Sequence, residues 1–65
     1  MLIDYAYPCM QAEKALKDTH NAMLRNDHQE ALQRASDCIG HVEAMLFAIT
    51  HMMEEAHARK AQVGV

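Results

Sequence analysis

Apolar residues return every three or four positions along two stretches of this chain, and the stretches are separated by Arg25-Asn26-Asp27. The second stretch is the more regular. Leu32, Ala35, Ile39, Val42, Leu46, Ile49, Met53 and Ala56 follow an unbroken three-four spacing, the pattern of a helix with a bundle seam. Beside that seam runs a row at intervals of seven, Ala31, Cys38, Met45 and Met52, which widens the stripe to what a bundle helix buries. The first stretch is thinner. Cys9, Ala12, Leu16, Thr19, Met23 and Asn26 hold the spacing, flanked by Ala15 and Ala22.

The boundaries follow from local chemistry. Pro8 is the single proline; it is tolerated in the first turn of a helix and poorly further in, so helix 1 is expected to start there. Asn26 suits a left-handed helix end, and Asp27 followed three residues on by Glu30 has the spacing of a capping box. The pattern therefore predicts helix 1 over about 8–25, a turn at 26–27, helix 2 over about 28–60 and a frayed tail at 61–65. Arg59 and Lys60 suit the C-terminal end of helix 2, where cations meet the partial negative charge of the helix. So short a turn makes the helices antiparallel neighbours. That places Cys9 near Met45 and leaves Cys9 and Cys38 about 10 Å apart along the axis, too far for a disulfide.

The fold class expected is all-α: an antiparallel two-helix hairpin with a longer second helix, one domain over 1–65. A lone hairpin cannot shield what helix 2 carries. Gly40, Ala44, Phe47, Ala48 and His51 form a second, weaker apolar stripe opposite the seam, and Glu43 is the only full charge between Cys38 and Met53. A helix apolar nearly all round is normally covered on all sides, and this run falls short of the ~20 residues that span a bilayer. A second copy is the commonest cover, giving a homodimeric four-helix bundle. Phe47 is then either part of the dimer core or an anchor for another protein. The methionines, Met52 above all, are either core filling or an adaptable contact surface.

Composition narrows the function classes. The chain has 65 residues and a formal net charge of −3, which argues against non-specific nucleic-acid binding. Five histidines could alter that balance in mild acid. The N-terminal ten residues meet an acid and a proline and lack a basic opening, unlike a signal peptide or a membrane anchor. Two cysteines do not make a secreted framework, so a cytoplasmic chain with reduced thiols is expected. No glycine-rich phosphate loop and no nucleophile, base and orienter set is present, so no enzymatic activity and no cofactor are expected. Two metal-like spacings occur, Glu54 with His57 and Cys38 with His41. The first lies off the seam and the second includes a thiol suited to packing, so no metal site is assigned. Lys14, Lys17, Asn21 and Arg25 line the outer side of helix 1, interrupted by Glu13 and Asp18.

In length and layout, a short helical hairpin with a tight turn at Arg25-Asn26-Asp27, the chain resembles the plasmid-encoded Rop family. The resemblance implies a dimeric four-helix bundle and an RNA-binding helix 1 face, with Lys14, Lys17, Asn21 and Arg25 as its residues. In size and helical form it is also similar to small phage accessory proteins that bind and inhibit a host protein. The leading expectation is a non-enzymatic interaction module, a small regulator or inhibitor that binds a partner protein through Gly40, His41, Ala44, Phe47, Ala48, His51 and Met52. The alternatives are an RNA-binding dimer and a subunit or co-chaperone of a larger helical assembly.

Overall fold

The first helix gathers its start from Asp4 rather than from Pro8. In the computed structural model, which describes the backbone of residues 4–63 and the side chains of 4–59, α1 spans Ala6–Leu24. The Asp4 carboxylate accepts a hydrogen bond from the Ala6 N–H at 3.2 Å, and the first intrahelical bond runs from Cys9 N–H to the Tyr5 carbonyl at 3.0 Å. The expected start at Pro8 is two residues late. The opening N–H groups of a helix have no partner within it, so a proline at its third position costs no hydrogen bond.

The turn is built by two residues with separate tasks. Asn26 takes φ 60, its N–H reaches the Met23 carbonyl at 3.0 Å, and the Asp27 N–H reaches the Ala22 carbonyl at 2.9 Å. This pair of bonds is a Schellman motif. The Asp27 side chain then opens α2, which spans His28–Val63, by accepting the Glu30 N–H at 3.1 Å. Only that half of the expected capping box forms. Asp27 N–H is already committed to Ala22, and the Glu30 carboxylate turns to Arg34 at 3.3 Å instead. Helix 2 also runs further than expected, through three residues assigned to the frayed tail, while the end of that tail, Gly64 and Val65, lies outside the described residues.

α1 and α2 pack against each other as a hairpin, but the large seam residues do not make the contact. The buried residues are Ala12, Ala15, Ala22, Ala31, Cys38 and Ala48. Ala12, Ala15 and Cys38 form the central cluster, with half-buried Val42 against it, and the Cys38 thiol donates to the Ala12 carbonyl at 3.5 Å. The interhelical seam is thus the flanking row through Ala31 and Cys38, facing the alanines of α1. Leu32, Ile39 and Leu46 each follow one residue after a member of that row and are turned about 100° from it. They are 73%, 62% and 59% exposed, and Leu16 on α1 is 62% exposed. Small residues let two helix backbones approach closely, and the large ones are displaced to the flank of the contact.

The result is a rod. At 1.5 Å per residue, α1 is about 28 Å long and α2 about 54 Å, so the C-terminal part of α2 extends past the start of α1. The Cα radius of gyration is 16.6 Å, where a compact domain of this length would have about 11 Å.

Candidate functional site

The two long sides of the hairpin differ in chemistry. One holds an open groove of about 580 Å³ whose floor and walls are Cys9, Ala12 and Leu16 from α1 and Cys38, Val42 and Met45 from α2; Glu13, Lys17 and His20 form its rim. Cys9 and Met45 therefore share this groove, as the sequence register suggested. Both cysteines are free. The Cys9 thiol donates to Glu13 Oε1 at 3.6 Å; desolvation first, then the hydrogen bond and the charge of that carboxylate, raise its pKa above the ordinary thiol value. A protonated thiol of this kind packs rather than reacts.

The other side is polar. Gln11, Lys14 and Asp18 from α1 face Arg34, Asp37 and His41 from α2 across a small depression of about 100 Å³. Arg34 Nη1 pairs with Asp37 Oδ2 at 3.1 Å, and Gln33 donates to Asp37 Oδ1 at 3.1 Å. Arg34 Nε lies 3.3 Å from Glu30 Oε1 but is buried without an aligned acceptor, so that contact is an ion pair rather than a hydrogen bond. Pairs this exposed are each worth about 0–1 kcal/mol and serve more to solvate this side than to hold the helices together.

The residues proposed for partner binding do not share one surface. Gly40, Ala44 and Phe47 are exposed, and space is open around Gly40, with nothing within 4 Å of where a Cβ would stand. Phe47 is 67% exposed and its ring stacks on that of His51, centroids 6.5 Å apart at 15°. His51 Nε2 lies 3.5 Å from Glu55 Oε1. Ala48, in contrast, is only 2% exposed, and half-buried His41 lines the polar depression against α1. Both are turned inward because the α1 contact wraps part of the way around α2. Met52 belongs to a third place, an apolar patch with Tyr5, Ile49 and Met53 where α2 passes the start of α1.

The basic set lies along α1 and its C-cap, Lys14 at the edge of the polar depression and Lys17 on the groove rim. Lys14, Lys17, Asn21 and Arg25 are all exposed, and Lys14 and Lys17 share a shallow depression with Met10 and Glu13. Glu54 and His57 are exposed, and among the described residues no group of three or more His, Cys, Asp or Glu side chains is placed to hold a metal ion. No described helix is long and apolar enough to cross a membrane.

What sequence reasoning missed is the flank face. Leu32, Ile39 and Leu46 belong to the expected bundle seam and Leu16 to the matching stripe of helix 1, yet within the hairpin all four are more than half exposed, Leu16 in the wall of the apolar groove. The signal that could have found this was present: a second row with Ala and Cys at intervals of seven, matched by Ala15 and Ala22 at the same interval. Two small-residue rows of equal period mark a close contact between the helices that carry them. Comparison with protein-family models, with curated proteins and with solved structures gives no match.

Proposed function

We propose that this chain is a non-enzymatic interaction module, half of a homodimeric four-helix bundle that binds a partner protein through the exposed outer surface of α2. The observation that carries this reading is the exposure of a large apolar set on a hairpin whose own core is alanine and cysteine. Leu16, Leu32, Ile39 and Leu46 on the groove flank, and Phe47 on the outer side of α2, are all more than half exposed, and large apolar side chains left uncovered in this number mark interaction sites. Phe47, a single aromatic standing on His51, has the form of an interface anchor. A regulator or inhibitor acting by contact needs no pocket chemistry beyond this.

Light scattering on the purified chain is expected to give twice the protomer mass. Phe47→Ala is expected to keep the helical circular dichroism and the dimer while losing the protein that the wild type retains in parallel affinity captures. Equal capture by both would remove Phe47 from the function, and loss of helicity would assign it to the core.

A second reading is favoured by the exposure of Lys14, Lys17, Asn21 and Arg25 along α1 and its C-cap. For an RNA-binding dimer, Lys14→Ala with Lys17→Ala weakens binding and flattens its salt dependence. Undetectable RNA binding by the wild type at low salt would dispose of it.

A further inference from the structure

We infer that the two copies of this chain meet through the apolar groove side of the hairpin, so that Ile39 is covered by the second copy and Phe47 is left on the outside. This rests on the dimer proposed above and adds which face makes it.

The first argument is the asymmetry of the two sides. The groove side presents Leu16, Val42 and Met45; the exposed Ile39 and Leu46 stand three residues before and four after Val42, and Leu32 seven before Ile39, so helical period puts them on the same side of α2. The opposite side presents Arg34, Asp37, Lys14 and Asp18, whose ions would have to be desolvated to form a contact. Burial stabilises only the first.

Area gives the second argument. The chain exposes 5445 Å², where a compact monomer of its mass exposes about 4,200 Å², an excess of about 1,200 Å². A standard interface covers about 800 Å² on each partner, so the excess suffices for one docked copy.

Charge supplies the third, and it bears on the identity of the occupant. The groove rim carries an acid and a base a single turn apart, Glu13 and Lys17, with His20 beside them. A rim of both signs meets its own copy without net repulsion, whereas a strongly basic or acidic rim would select an unlike partner. The surface around Phe47 is different in kind: its ring is already packed on His51, and Glu43, Thr50 and Glu54 stand exposed on the same outward part of α2. A lone ring among polar groups does not self-associate over the area a stable dimer needs.

The test uses single cysteines in a Cys9→Ala, Cys38→Ala background, comparing the maleimide labelling rates of Ile39→Cys and Phe47→Cys at a concentration where light scattering shows a dimer. Ile39→Cys is expected to label about ten-fold or more slowly than Phe47→Cys, because access requires dissociation or local opening, and to speed up on dilution. Circular dichroism of each variant establishes that it is folded. Wild-type chain carrying Ile39→Glu is the second probe, expected to lose the dimer where Phe47→Glu keeps it. A dimer in which Phe47→Cys is protected, or in which both sites label equally, overturns the face assignment and leaves the dimer standing. A monomer removes both. A monomer whose Ile39→Cys becomes protected only on adding cell extract would show that an unlike protein, not a second copy, covers this face.

Discussion

Ala22→Leu puts the small-residue contact between the helices to a direct test. Ala22 is 0% exposed, and its carbonyl accepts the Asp27 N–H at 2.9 Å and the Arg25 N–H at 3.1 Å, so it is held both by the turn and by the facing helix. Leucine adds three carbons at this point. If room existed, their burial would contribute about 0.8 kcal/mol each and the variant would be more stable. In a fully packed contact, overpacking instead costs about 1–3 kcal/mol, as helices move apart or the side chain leaves its rotamer. For a domain of this size each 1 kcal/mol corresponds to about 4–8 °C in Tm, so a fall on the order of 10 °C is expected. The assay is thermal unfolding by circular dichroism at one fixed protein concentration, since dimer formation makes Tm concentration-dependent. Ala58→Leu is the control: Ala58 is exposed, and a surface substitution of this kind stays within about 0.5 kcal/mol. An unchanged or higher Tm for Ala22→Leu, with the control behaving as expected, would refute close alanine packing at the turn end.

Three further outcomes follow from other parts of the molecule. Asp27→Ala removes the acceptor of the Glu30 N–H but not the backbone bond to Ala22; denaturant unfolding should show a loss of about 1 kcal/mol, largely restored by Asp27→Asn. Gly40→Ala meets open space in the protomer and should raise stability by about 0.5–1 kcal/mol; a fall in stability would mean that another chain lies against Gly40, on the side assigned to the outside. The raised pKa of Cys9 keeps its thiol protonated at pH values where an ordinary thiol has begun to ionise, so alkylation of a Cys38→Ala chain should reach half-maximal rate at higher pH than a free cysteine. Glu13→Gln should move that midpoint down, since the carboxylate charge is lost, and an unmoved midpoint would exclude Glu13 as a cause.

Much of this protein is legible in one dimension because its elements are set by neighbours in sequence. Asn26 and Asp27 mark the turn through their own backbone and side-chain preferences, and the three-four spacing on either side marks two helices whatever they pack against. The outward position of Phe47, opposite the contact row, follows from helical period alone. Which stripe faces α1 does not. The larger residues Leu32, Ile39 and Leu46 outweigh Ala31 and Cys38 in any hydrophobic pattern, yet the small residues take the contact, because two helices joined by a tight turn are held so close that methyl groups and a thiol fill the gap. That selection depends on both helices at once. The same holds for Glu30, whose side chain pairs with Arg34 because the Asp27 N–H had already been claimed by Ala22. The tertiary structure also divided the outer residues of α2, turning His41 and Ala48 toward α1 and leaving Gly40, Ala44 and Phe47 in solvent. Spacing along a chain determines which residues share a helix face; only the approach of a second helix determines which face is covered.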